Sequence, residues 1–245
     1  MNFILDVHCH TINSGHAYST IRENAAHAAA VGLTHIGISD HAPAMPGSAH
    51  LYAFSNMWCL PDEICGVRVF KGAECNIISE TGEIDLPADL LAKMDFVIGS
   101  LHRGVFPPQN RDVHTRTMIA AMENNPSLHI LGHPGCRFFD IDLEAVVAAA
   151  ARTHTIIEIN NQSLVPGSFR FKGIDVQLEI CRLCKKYGVP VLASSDAHFC
   201  TSVGELTRAK EVIIAAEMPE EMVLNTSVER FLAAIGRRKN GKISK

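Results

Sequence analysis

Short β-branched segments alternate with longer amphipathic segments along most of this 245-residue chain, and this alternation limits its fold more than any other feature. The pattern predicts seven strands, at about Phe3–Val7, Thr34–Ser39, Val67–Gly72, Phe96–Gly99, His129–Leu131, Ile156–Ile159 and Pro190–Ala193. Helices are predicted after most of them, at about Thr20–Val31, Ala88–Met94, Val113–Asn124, Leu143–Arg152, Ile174–Tyr187, Val203–Ala215 and Val228–Ile235. Repeated βα units of this kind build a parallel sheet that is covered by helices.

Residues with metal-ligating side chains stand at or just after the end of every predicted strand: His8 and His10, Asp40 and His41, Glu74, His102, His133, Glu158, and Asp196 with His198. In a parallel barrel all the carboxyl ends of the strands meet on one face. We therefore predict an α/β fold, a distorted seven-stranded (β/α)7 barrel similar to a TIM barrel. An open doubly wound sheet is the alternative, but it would gather such residues only at one crevice. No linker divides the chain, so we predict a single domain over residues 1–245.

The first predicted strand ends in Asp6-Val7-His8-Cys9-His10. Side chains alternate along a strand, so His8 and His10 are expected to project to the same side. Asp6 lies two residues before His8, so it is expected to project to the same side. There its carboxylate would accept a hydrogen bond from the second ring nitrogen of a ligand imidazole. A lone His-x-His pair fits a hydrogen-bonded core pair equally well. A metal centre becomes the better interpretation because burying so many imidazoles and carboxylates at one face is costly without cations.

The composition is that of an ordinary globular chain. Hydrophobic residues make up 47% and charged residues 20%, which argues against disorder and coiled coil. The net charge of −4 creates no positive field, so we expect a small substrate, no membrane partner and no nucleic-acid partner. Eight cysteines are too sparse for a disulfide scaffold, and no secretory signal is evident. We therefore expect a cytoplasmic protein with reduced thiols.

Several longer motifs extend this pattern: the run from His10 through Ser14-Gly15-His16-Ala17-Tyr18-Ser19-Thr20, then Ser39-Asp40-His41, Glu83-Ile84-Asp85 and Glu158-Ile159-Asn160-Asn161. With these motifs nearly the whole chain resembles the PHP (polymerase and histidinol phosphatase) domain family, and within it the YcdX-like phosphatase group. Members of this family carry a His-x-His motif and trinuclear metal sites.

The resemblance implies three divalent metal ions and a ligand set for each. The first would be held by His8, His10, Glu74 and Asp196, the second by Glu74, His102 and His133, and the third by His16, His41 and His198. Zinc is the first expectation, with manganese or iron as alternatives, because imidazole and carboxylate ligands suit all three.

The resemblance and the ligands together predict a metal-dependent phosphoesterase that hydrolyses small phosphomonoesters. A hydroxide shared by two metals would attack phosphorus in line, while the third metal binds the phosphate and stabilises the departing oxygen. Arg103 and Arg137 follow ligand-bearing segments and are candidates for gripping the phosphate, with Arg103 also a catalytic candidate. Asp40 is a candidate proton donor, and bracing a neighbouring histidine is its alternative role.

Three other functions fit the sequence less well. A nuclease or nucleotide phosphatase of the same family needs a basic groove with stacking aromatic residues, which 6% aromatic residues and a negative net charge disfavour. Amidohydrolases also open with His-x-His, but they commonly bridge their metals with a modified Lys where Glu74 stands here. A non-catalytic metal-binding module is disfavoured by ligands at every strand end.

Residues 42–63 form a connection longer than a usual βα loop, and it carries His50, Phe54, Met57 and Trp58. We predict that it forms a lid over the organic part of the substrate, with a packed surface loop as the alternative. The sequence defines no oligomeric state.

Overall fold

The computed structural model describes residues 1–240, and it describes side chains through residue 236. The last five residues of the predicted domain lie outside this part. The strands are β1 Leu5–Cys9, β2 His35–Ile38, β3 Glu63–Ile64, β4 Val67–Asn76, β5 Phe96–Ser100, β6 Ile130–Leu131, β7 Ile156–Asn160 and β8 Val191–Ser194. The helices are α1 Ile21–Ala30, α2 Leu51–Ser55, α3 Ala88–Leu91, α4 Arg111–Asn124, α5 Leu143–Thr153, α6 Ile174–Tyr187, α7 Thr207–Ala215 and α8 Val228–Asn240.

Seven strands form one parallel sheet in the order β1, β2, β4, β5, β6, β7, β8, and β3 pairs antiparallel with β4 at its side. Each parallel strand follows its neighbour in sequence, so the sheet curls into a nearly closed barrel with α-helices outside. The seven-stranded α/β barrel predicted from the alternation is confirmed. Within residues 1–240 no helix is long and apolar enough to cross a bilayer.

Local sequence explains where several helices begin and end. At α1, Thr20 Oγ1 accepts a hydrogen bond from Glu23 N (3.3 Å), and the Glu23 carboxylate accepts one from Thr20 N (2.7 Å), which is a capping box. The side chain of Asp142 caps α5 by accepting from Ala145 N (3.0 Å). Gly188, in the left-handed conformation, ends α6.

The barrel is packed with apolar side chains at the end opposite the predicted ligands. Residues at or near the start of their strands form this cluster together with α8: Leu5, Val7, Phe70, Phe96, Ile98, Ile130, Ile156, Leu192, Phe231 and Ile235. On the outside, α4 to α7 pack in sequence against one another and against the sheet. One end of the barrel is therefore filled, and polar residues collect at the other.

The barrel closes between β1 and β8 with the help of one buried asparagine. Near the carboxyl ends, His10 N donates to Ala197 O at 2.8 Å. Lower down, Asn225 Nδ2 donates to Leu5 O (3.0 Å) and to Ala193 O (2.8 Å), and Asn225 Oδ1 accepts from Ala193 N (2.7 Å). The Asn225 amide takes the place of strand-to-strand hydrogen bonds between the first and last strands.

The sequence-based boundaries differ from the structure at some elements. The predicted helix Ala88–Met94 is shorter as α3, and the helix predicted from Val203 begins at Thr207. The second difference has a clear cause, because Gly204 adopts a left-handed φ of 78° and its N–H is held by the Asp6 carboxylate at 2.9 Å.

Candidate metal centre

Glu74, fully buried on β4, lies at the centre of the predicted ligands. Its Oε2 is 3.3 Å from His8 Nε2 and 3.5 Å from His10 Nε2. Asp196 Oδ1 is 3.6 Å from His8 Nε2 and 3.2 Å from His10 Nε2. All four atoms are buried and have no hydrogen-bond partner. Leaving such atoms unpaired is costly, so the arrangement fits a cation bound among them.

The second oxygen of Glu74 faces a different pair of histidines. Glu74 Oε1 lies 3.0 Å from His133 Nε2 and 3.2 Å from His102 Nε2, and it accepts a hydrogen bond from Ser100 Oγ at 2.7 Å. His133 adopts a positive φ of 29°, as Asp196 does at 55°, a backbone conformation that is uncommon for non-glycine residues. The two oxygens of Glu74 therefore point toward two groups of ligands, as a bridging carboxylate would.

A third group of imidazoles lies beside these two. His16 Nε2 is 3.1 Å from His198 Nε2, and the His16 and His41 ring centres are 5.0 Å apart. His41 Nδ1 is also 2.8 Å from Glu74 Oε2, although the two atoms are not in hydrogen-bond geometry, so His41 lies between this group and the bridging carboxylate. Donor atoms of His10, His41 and His198 lie within 4.8 Å of one another. The structure thus brings all nine predicted ligand residues together in one place.

Most of these imidazoles are held neutral, which metal ligation requires. Burial lowers the pKa of His133 and of His198 to about 3 each, and it lowers that of His16 to about 4. Burial and the neighbouring His41 and His198 rings place the pKa of His10 well below its ordinary value.

His8 behaves differently because two carboxylates face it. Burial alone would lower the pKa of His8, but Glu158 and Glu74 outweigh burial and raise it to about 10. The pKa of Glu74 lies well below its ordinary value despite burial, because His102 and His8 stabilise the carboxylate. Glu74 therefore carries the negative charge that a cation would neutralise.

Glu158 stands at a strand end, but no sequence pattern indicated that it would support the candidate ligands. It lies on β7, and its Oε1 accepts a hydrogen bond from His8 Nδ1 at 2.5 Å. Ser194 Oγ also donates to Oε1, while the backbone N–H of His133 donates to Oε2 at 2.5 Å. Glu158 thus orients two ligands that belong to two different groups.

The expectation that Asp6 braces a ligand imidazole is wrong. The register between β1 and β2 shifts between Asp6 and Cys9, so strict alternation does not hold over this stretch. The Asp6 carboxylate accepts hydrogen bonds from the backbone N–H groups of Ser195 (3.2 Å) and Gly204 (2.9 Å), and the Ser195 side chain also bonds it. Asp6 therefore supports the loop after β8, and Glu158 has the role expected of Asp6.

Asp40 acts on the site through a hydroxyl group. Both of its oxygens are engaged, by Thr11 N (2.6 Å), Thr11 Oγ1 (2.7 Å) and Ser14 Oγ (2.7 Å). Ser14 Oγ in turn lies 2.9 Å from His10 Nδ1. This geometry favours the bracing role of Asp40 over proton donation.

A similar chain of hydrogen bonds orients His102. His102 Nδ1 lies 2.7 Å from Asn76 Oδ1, and Asn76 Nδ2 donates to the Asp85 carboxylate at 2.6 Å. This contact gives a structural reason for the Glu83-Ile84-Asp85 motif.

Two cavities, of about 190 and 360 Å³, open beside the ligand residues. Arg103 lines the smaller one, and its guanidinium lies 4.9 Å over the Phe138 ring. Arg137 is exposed and does not line either cavity. Arg170, for which the sequence gave no signal, lines both cavities. Its side chain is only 7% exposed, and it forms an ion pair with the second oxygen of Asp196. It lies in an irregular connection after β7, where no sequence pattern marked it.

The connection 42–63 is folded and not a free loop. Phe54 and Met57 are buried against residues around α3, while Trp58 is 79% exposed. None of these three lines either cavity, but Met45 lines the smaller one. Only the beginning of the predicted lid therefore lies beside the site.

Comparisons with known proteins agree with this geometry. The chain matches the PHP domain over residues 6–163 and a PHP-associated domain over residues 178–240. A probable phosphatase of Caldicellulosiruptor saccharolyticus is 44% identical over 228 residues, which cover 93% of this chain and 94% of that protein. A probable phosphatase of Acetivibrio thermocellus is 41% identical over 240 residues, 98% of each chain.

Two solved structures share the fold. The histidinol phosphate phosphatase of Lactococcus lactis, solved with zinc, L-histidinol and phosphate, superimposes with a TM-score of 0.60 at 16% identity, covering 86% of this chain and 93% of that chain. A chain in the cryo-EM structure of archaeal ribonuclease P with mature tRNA gives a TM-score of 0.55 at 14% identity, covering 96% and 90%. At these identities the likeness concerns the fold alone.

Proposed function

This chain belongs to the PHP domain family, and we propose that it hydrolyses small phosphomonoesters at a centre of three divalent metal ions. The chain is a phosphatase. The relatives that match it over nearly their whole length are named probable phosphatases. The observation that carries the metal centre is the set of buried, unpartnered ligand atoms that face one another: His8 Nε2, His10 Nε2, both ring nitrogens of His41, Glu74 Oε2, His102 Nε2 and Asp196 Oδ1.

The proposed ligand sets follow the three groups in the structure. They are His8, His10, Glu74 and Asp196 for the first ion, Glu74, His102 and His133 for the second, and His16, His41 and His198 for the third. Imidazole ligands suit zinc and iron, and the added carboxylates also admit manganese, so we propose zinc first with manganese or iron as alternatives. Divalent ions at such a site lower the pKa of water and neutralise phosphoryl oxygens.

The residues around the ligands keep this site in a single arrangement. Glu158 holds His8 with its Nε2 turned toward Glu74, and the Asp40–Ser14 pair does the same for His10. Such partners fix the ring orientation and the tautomer of a metal-bound histidine.

Arginine side chains would bind the substrate phosphate. Arg170 is nearly buried beside Asp196, and Arg103 lines the adjoining cavity, so both can donate to phosphoryl oxygens. Arg137 stays a prediction, as does a cytoplasmic location.

Metal analysis and turnover together test the proposal. We expect about three equivalents of divalent metal per chain and hydrolysis of small phosphomonoesters. His10→Ala and Glu74→Ala should abolish turnover while the fold is retained, and His27→Ala, on the outer helix α1, should not. Metal-loaded protein that cleaves no phosphate ester would refute the phosphatase function. Full turnover in either ligand variant would refute the assignment of the first metal.

A further inference from the structure

Three exposed aromatic side chains lie beside the metal ligands. Tyr18 is 73% exposed, Phe169 61% and Phe199 50%. All three line the cavity of about 360 Å³, which is also lined by His16, Asp196 and His198. A single exposed aromatic residue is ordinary, but three around one cavity form an apolar surface that is available to a ligand.

These rings come from three separate connections at the carboxyl face of the barrel. Tyr18 follows β1, Phe169 follows β7 and Phe199 follows β8. The Tyr18 N–H donates to the carbonyl of His198 at 2.9 Å, so the first and third connections are joined next to the ligands. The aromatic surface is therefore held beside the place where a substrate phosphate would lie.

The charges around this cavity disfavour a cationic substrate group. Among the described residues that line it, Asp196 is the only carboxylate. One of its oxygens is paired with Arg170, and the other faces His8 and His10 as a proposed metal ligand. The Arg170 guanidinium also lies 5.1 Å over the Phe169 ring, so a cation already interacts with that ring. A substrate ammonium group would find no free counter-charge here, whereas a neutral ring can pack against the aromatic faces.

We propose that this cavity binds the organic part of the substrate as a neutral aromatic ring, packed among Tyr18, Phe169 and Phe199. The substrates are then phosphomonoesters of alcohols that carry an aryl or heteroaryl ring. This inference rests on the proposed function and specifies its substrate class. The reaction stays a hydrolysis: water adds to phosphorus, the ester P–O bond breaks and the alcohol leaves with a proton.

Three substrates test the ring directly: 2-phenylethyl phosphate, 2-cyclohexylethyl phosphate and phosphocholine. The first two have similar size and leaving groups, so a difference in kcat/KM reports the aromatic ring. We expect the phenyl ester to be preferred over the cyclohexyl ester by about three- to tenfold, and phosphocholine to be the poorest of the three. Equal rates for the two ring esters, or a preference for phosphocholine, would overturn the proposal.

Leucine variants assign the effect to particular residues. Tyr18→Leu and Phe199→Leu keep an apolar side chain but remove the ring, so each should raise KM for the phenyl ester by about three- to tenfold. The cyclohexyl ester should change by less than about twofold in either variant. Tyr52→Leu removes a 78% exposed aromatic residue on α2, outside the cavity, and should alter neither ester. Equal losses for both esters would show that the rings provide only apolar area.

Failure of the substrate class can be told apart from failure of the function. Turnover of glycerol phosphate with none of the phenyl ester would refute the aromatic site and leave the phosphatase intact. If no phosphate ester is cleaved, the proposed function fails. Calorimetric binding of 2-phenylethylphosphonate against its cyclohexyl analogue then decides the aromatic site separately, since that measurement needs no turnover. Equal affinities would refute it.

Discussion

Glu158→Gln tests whether residues that hydrogen-bond the proposed metal ligands control metal binding. The variant keeps the size of the side chain but replaces one acceptor oxygen by an NH2 donor. Glu158 accepts hydrogen bonds from His8 Nδ1 and Ser194 on one oxygen and from the His133 backbone N–H on the other. In either orientation the new NH2 group therefore faces a donor, and at least one contact becomes repulsive.

The loss of charge adds to this effect. Burial raises the pKa of Glu158, but the adjacent His8 imidazole outweighs burial, so the pKa falls to about 2 and the group is ionised at neutral pH. The carboxylate both orients His8 and makes its Nε2 a better donor to a metal. Removing a partner of this kind lowers metal affinity by about 10- to 100-fold, or about 1.4 to 2.7 kcal/mol.

Competition with a chromophoric chelator would measure the metal affinity, and turnover at saturating metal would show whether activity returns. We expect weaker binding, with activity partly restored by excess metal. Glu144→Gln is the matched control, because Glu144 is an exposed carboxylate that bonds Lys186 and Tyr187 and contacts none of the proposed ligands. Metal affinity of the Glu158 variant within about twofold of the parent, with the fold intact, would refute the reasoning.

Two further predictions concern stability. Metal-free protein should melt at lower temperature as the pH falls from 6.5 toward about 4, because His133 and His198 have pKa values of about 3 when folded and near 6.5 when unfolded, so the unfolded chain binds more protons in this window. His8, with its pKa raised to about 10, contributes a constant amount there, and calorimetry that finds an unchanged Tm would contradict the expectation. Asn225→Ala should lower the free energy of unfolding in urea by about 3 kcal/mol, since it leaves buried groups of Leu5 and Ala193 unpaired. Asn124→Ala, which loses one exposed hydrogen bond, should cost less than about 1 kcal/mol, and equal costs would argue against the closing role of Asn225.

Much of the fold and of the candidate metal centre could be predicted from the sequence. The alternation of strands and helices specified a parallel barrel, and in such a barrel strand ends must meet on one face. His10, Glu74 and His133 could therefore be assigned to one site although they are far apart in the chain. His16 was different, because only the family resemblance marked it as a ligand, and the structure places its ring beside His198.

Other features required the tertiary structure. The alternation of side chains along β1 predicted that Asp6 would hold a ligand histidine. The register shift in β1 instead turns the Asp6 carboxylate toward Gly204, 198 positions away in the chain, and Glu158 holds His8. Arg170 and the aromatic residues of the larger cavity stand in irregular connections, where no period predicts the direction of a side chain.

Sequence and tertiary structure determined different features because the interacting residues lie at different distances along the chain. Sequence by itself determined the strands, the helices and the face on which the ligands collect, because backbone periodicity depends on neighbouring residues. Only the tertiary structure decided which carboxylate supports which histidine, how Asn225 closes the barrel and which side chains line the cavities beside the candidate ligands. Those contacts depend on bulges and connections that are positioned by residues distant in the chain.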